Sequence, residues 1–164
     1  MSTSAAPPRE WLFLGVRVTE LTGPEAPVVV GEAVLPHGAS PPAHVHEDLD
    51  DSFYVLEGTM VVRCGESVTL EKAGDWVQFP RGVPHTFRVM SDSARILMVH
   101  ANRSFLDAVA GIGRPATEDD EPAVSGGPSP DELDRLMGIY GMRNVGPPME
   151  EPEANRLFQQ LSQP

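Results

Sequence analysis

Short strand-like runs closed by glycine or proline turns fill the chain from Trp11 to Ala101. Residues 11–18, 28–35, 52–57, 59–64, 67–71, 75–79, 85–90 and 95–101 are rich in β-branched and aromatic types. Such residues suit a pleated, half-buried surface. Glu57-Gly58 and Cys64-Gly65-Glu66 supply hairpin turns, with glycine where a positive φ is needed. Strands at these intervals, with few helical stretches between them, predict an all-β sandwich or barrel. No internal repeat is present, and 164 residues suffice for one domain with a proper core.

Within that frame, residues 1–10 read as a disordered tail and 11–103 as the barrel. Residues 104–164 read as an extension of short helices around an acidic, Gly/Pro-rich loop at 111–128. Helices are expected over 104–110 and 153–160. Another should start at Ser129-Pro130-Asp131-Glu132, a capping box with proline at the first helical position, and stop at Gly141. The extension either pads the barrel or forms a lid or dimer arm.

Composition narrows the function. The formal net charge is -12, which repels phosphate backbones and anionic lipid and argues against nucleic-acid and membrane-surface partners. Cys64 is the single cysteine, so no intramolecular disulfide forms, and it reads as a small core hydrophobe. Lys72, the one lysine, sits at a turn, which disfavours Schiff-base chemistry. The N-terminus shows no signal-peptide pattern, and no apolar run reaches membrane-spanning length, so a cytoplasmic location is expected.

The chemistry concentrates in two segments. In His44-Val45-His46 the imidazoles share one face of an extended chain, because strand side chains alternate with period two. Asp51 follows and opens the run Phe53-Tyr54-Val55-Leu56. Downstream, Pro80-Arg81-Gly82-Val83-Pro84 is a tight loop that delivers His85. If the segments pair, three imidazoles and one carboxylate converge, a set suited to a catalytic divalent transition metal: Fe, Ni, Co, Mn, Cu or Zn. Alternation also predicts the lining of a small-molecule pocket: Phe53, Met60, Val62, Phe87, Met98 and His100.

Gly38, His44-x-His46, Asp51 and Gly58 then match the first cupin motif, with Asp in place of the usual Glu. Gly74, Pro80-x-Gly82 and His85 match the second, with Val89 where that motif closes on Asn. The chain thus resembles a small single-domain bacterial cupin of the quercetinase-like type. The resemblance implies a jelly-roll β-barrel (double-stranded β-helix), a metal held by His44, His46, Asp51 and His85, and a homodimer. It further implies a dioxygenase that cleaves an enol or phenol substrate with O2, with Asp51 taking the substrate proton. An O2-independent isomerase, cyclase or decarboxylase, or a non-catalytic binder, are the alternatives. Asp51 is one methylene shorter than Glu, about 1.5 Å less reach, so it either approaches the metal closely or contacts it through water.

Overall fold

The computed structural model describes residues 9–124 and 128–163. Residues 1–8 of the expected tail lie outside them, while Arg9 and Glu10 belong to the first strand. That strand, β1 (Arg9–Phe13), turns through Leu14-Gly15 into β2 (Val16–Glu20). The sequence reading had made 11–18 one continuous strand; it is a hairpin. Both turn residues have positive φ, 50° and 83°, the geometry that matches the twist of a two-residue hairpin. Leucine at the first turn position hides the signal that Asn or Asp would have given.

The following strands are β3 (Val29–Pro36), β4 (Pro42–His46), β5 (Asp51–Glu57), β6 (Thr59–Cys64), β7 (Ser67–Lys72), β8 (Trp76–Phe79), β9 (His85–Val89) and β10 (Ser93–His100). They lie close to the ranges expected from patterning. β3 and β10 alternate buried and half-exposed positions along nearly their whole length, the period-two signature of a strand with one face in the core. Helix α1 (Ser104–Ile112), the short β11 (Arg114–Pro115), α2 (Pro130–Gly138), β12 (Met142–Pro148) and α3 (Glu151–Leu161) complete the described chain.

Two antiparallel sheets face each other. One has the order β11-β1-β2-β3-β10-β5-β8, the other β12-β4-β9-β6-β7. Val18, Ala33, Phe53 and Ile96 of the first sheet and Met60, Val62 and Val89 of the second share one core. This is the all-β jelly-roll architecture expected. Outside the second sheet, α3 packs Ala154, Leu157 and Phe158 over Val61 and Met149, which explains why β6 is buried on both faces.

The sequence reading missed β12. Its Gly146-Pro147-Pro148 end resembles a loop, yet it pairs with β4 in the register Met142↔His46 and Asn144↔His44, with bulges near Gly146. Proline is tolerated there because β12 is an edge strand. The segment after residue 103 therefore supplies the neighbour of the strand that carries two of the histidines.

Gly58 joins β5 to β6 at φ +90°, and a Cβ there would lie 2.8 Å from Ala94 Cα and from Ser91 Oγ. Gly58→Ala combines a disfavoured φ with a backbone clash. It is expected to lower stability by about 3 kcal/mol or more, read as a shifted denaturant midpoint at unchanged slope.

Candidate metal centre

The site begins with Pro41-Pro42. Their fixed φ extends the chain into β4, and the Thr86 hydroxyl donates to the Pro41 carbonyl at 2.7 Å. This bond joins the entry of β4 to β9. In the β4–β9 ladder His44 stands directly opposite His85, with ring centroids 4.4 Å apart. His46, two residues along, stacks near-parallel to His85 at 5.4 Å and 7°. One donor nitrogen from each of His44, His46 and His85 lies within 4.8 Å of the others.

Backbone carbonyls orient two of the rings. His44 Nδ1–H donates to the Pro42 carbonyl at 2.8 Å, and His85 Nδ1–H donates to the Val83 carbonyl at 2.9 Å. Each bond leaves Nε2 with a free lone pair, the form a metal ligand needs. Phe79 stacks on the other side of His85 at 4.2 Å. Burial disfavours the charged imidazoles: His46 is pushed down to about 3, His85 to about 4, and His44 is lowered as well. All three are therefore neutral at pH 7.

Asp51 opens β5 and faces the cluster. Its Oδ2 is 3.8 Å from both His46 Nε2 and His85 Nε2. Its Oδ1 accepts a hydrogen bond from His100 Nε2 at 2.7 Å. Burial pushes the Asp51 carboxyl upward. The hydrogen bond and charge of His100, joined in acid by the charges of protonated His46 and His85, outweigh it and hold the group well below the usual carboxylate range. The neighbouring Asp50 turns to the surface instead and accepts from the Arg81 backbone N–H at 2.9 Å.

The residues fit a divalent metal. His46 Nε2 and His85 Nε2 are buried with no hydrogen-bond partner, and 3.8 Å to Asp51 is too long for one. Buried polar atoms without partners are costly, and a cation among them would satisfy both. Three neutral imidazoles and a carboxylate suit first-row transition metals without selecting among them.

His100 is the site neighbour that patterning located but did not explain. Alternation placed it inside, and extending the β10–β5 register from Met98↔Phe53 brings it opposite Asp51. Its ring meets Phe105 of α1 edge-on, with centroids 5.6 Å apart. Losing a partner that orients a ligand commonly weakens metal binding by about 10–100-fold. His100→Ala is expected to show a loss in that range in chelator competition, and His100→Gln, which keeps an N–H donor, a smaller one.

A cavity of about 350 Å³ opens beside the cluster. Phe53, Phe87 and Met98 line it as expected, together with His44, His85 and Asp51. Met60 and Val62, expected in the lining, are instead fully buried in the core and do not border the cavity. They belong to the same core cluster as Phe53, against which Phe87 also packs, with the two phenyl rings 6.1 Å apart. His100 also lies behind the lining, against Asp51. Patterning of the strands missed Phe13, Leu14 and Val16 of the first hairpin, Phe105 of α1, and Leu133 and Met137 of α2. The hidden Leu14-Gly15 turn and the helix positions made them illegible.

Residues 31–100 match the family model described as Cupin domain. A segment of 81 residues is 27% identical to quercetin 2,3-dioxygenase of Bacillus subtilis, covering 49% of this chain and 24% of that protein. The chain thus spans about a quarter of that relative's length. Among solved structures, the polyketide cyclase RemF from Streptomyces resistomycificus aligns with TM-score 0.52 and 23% identity, over 61% of this chain and 79% of that one. The Cnp3 cupin domain of Schizosaccharomyces pombe aligns with TM-score 0.50 and 20% identity, over 58% and 66%. These two likenesses show the fold. No described helix is long and apolar enough to cross a membrane.

Proposed function

We propose that this protein is a metal-dependent cupin enzyme acting on a small organic molecule, and that its reaction is dioxygenation of an enol or phenol. The observation that carries the reading is the division of labour at Asp51. One carboxylate oxygen is pinned by His100, and the other faces His46 and His85 at the border of an apolar cavity. The partial likeness to quercetin 2,3-dioxygenase supports it.

His44, His46, His85 and the free oxygen of Asp51 would hold the metal or its water. A bound divalent metal would supply Lewis acidity, lowering the proton affinity of an enol or phenol oxygen. Asp51 is ionised at neutral pH but weakly basic, so it accepts only a proton acidified in this way. His100 Nε2–H keeps the carboxylate oriented while its Oδ2 takes that proton. Phe53, Phe87 and Met98 exclude water from the reacting end.

The test is metal analysis followed by oxygen-electrode assays on protein reconstituted with Fe, Ni, Co or Mn. Stoichiometric metal and O2 uptake matching loss of a flavonol or β-diketone are expected. Turnover without O2 uptake would make the protein an isomerase, cyclase or decarboxylase. Persistent absence of metal in supplemented medium would make it a binder.

A further inference from the structure

We infer that the substrate carries one acidic oxygen on an otherwise apolar body, and is neither an anion nor a polyhydroxylated ring system. This rests on reading the cavity as the substrate site of the proposed enzyme. It departs from what the name of the quercetin-cleaving relative would suggest.

Among the described residues, the polar side chains bordering the cavity are Ser40, His44, Asp51 and His85, and no Lys or Arg borders it. The two histidines already spend their Nδ1 protons on backbone carbonyls. The Ser40 hydroxyl oxygen already accepts from the Met149 N–H at 3.0 Å. Among the described residues, the polar side chains able to address a ligand therefore belong to the metal cluster, apart from that one hydroxyl. The rest of the lining is mostly hydrocarbon and thioether, among it Leu14, Leu35, Leu133 and Met137.

Leu14 marks the apolar lining as a built feature. Among the described residues it alone, apart from glycines, has a positive φ, at 50°. A leucine there is strained, and the strain sets an apolar side chain on the cavity. On the same lining, α2 contributes Leu133 and Met137 although none of its residues is fully buried. Their apolar faces have the cavity to cover.

Chemistry follows from the walls. A substrate hydroxyl turned against them loses water and gains no partner, lowering affinity by about 5- to 150-fold per group. A carboxylate or phosphate fares worse along these walls, because no Lys or Arg among the described residues lines them and the net charge is -12. One acidic oxygen is accommodated, since the histidine end alone offers it a place.

The test compares 3-hydroxyflavone with quercetin, which shares its skeleton but bears further hydroxyls, and with phenylpyruvate as an anion. Binding is measured by calorimetry on metal-free and Zn-loaded protein, because Zn has no redox chemistry and binding is then read apart from turnover. The expected result in both forms is 3-hydroxyflavone tighter than quercetin by at least about tenfold, with no detectable phenylpyruvate binding. Met137→Gln should weaken 3-hydroxyflavone by about fivefold or more at unchanged Zn content. Equal or tighter quercetin, strong phenylpyruvate binding, no binding of either flavonol, or an unaffected Met137→Gln variant would each overturn the inference. The preference holding without O2 uptake would sink the dioxygenase reading alone. O2 uptake with the reverse preference would sink this inference alone.

Discussion

Replacing His46 with leucine is expected to abolish stoichiometric metal binding while leaving the metal-free fold more stable. His46 is 1% exposed, and neither ring nitrogen has a hydrogen-bond partner. In the metal-free protein it is thus a buried polar group that gave up water without compensation, at about 1–3 kcal/mol. Leucine fills similar space without the nitrogens. A gain of about 1–2 kcal/mol, or about 2–6 °C in melting temperature, is expected for the stripped protein. The loaded protein loses one of three imidazole ligands, and its affinity should fall by more than the roughly 10–100-fold typical of losing only an orienting partner. Elemental analysis and paired melts with and without metal read both effects. A leucine variant that melts lower when stripped and still retains metal would show that His46 serves packing alone.

Acidification gives the second large effect. His46 at about 3 and His85 at about 4 lie well below the ordinary value of 6.5 that the unfolded chain restores. Between those limits the unfolded state binds more protons than the folded one, so stability rises with pH and falls as pH is lowered. Each such histidine contributes about 1.4 kcal/mol per pH unit inside the window. Two give about 3 kcal/mol per unit near pH 5, and His44 adds in the same direction. Asp51 acts in the same sense but lower, since its stabilisation is lost only as pH falls beneath the ordinary carboxylate range. Metal-free protein should therefore lose most of a typical stability margin between pH 6.5 and 4.5. Bound metal should be released over the same interval, because protons compete for the same nitrogens. Melts of stripped protein across this range check it. A flat profile would mean that the histidines stay hydrated and are not the neutral cluster described.

Much of this was legible because it is local. Period-two alternation in β3 and β10, glycine at the β5–β6 turn, and His44-x-His46 on one strand face all follow from backbone stereochemistry within a few residues. The inward placement of Phe53, Phe87 and Met98 followed the same rule. What failed was equally local in cause. Leu14 occupies a turn position that asparagine usually announces, so the first hairpin read as one strand. The prolines of β12 read as loop because nothing in the sequence shows that this strand sits at an edge.

The order of residues by itself determined which groups would be offered for chemistry and which face of each strand would carry them. Tertiary structure alone decided that His100 would restrain Asp51, that Met60 and Val62 would be enclosed in the core away from the cavity, and that α2 and the first hairpin would line it. The reason is physical: alternation sets a side chain's direction within about two residues. The distance between residues such as Asp51 and His100 depends on strand register and sheet closure, which the whole core settles at once.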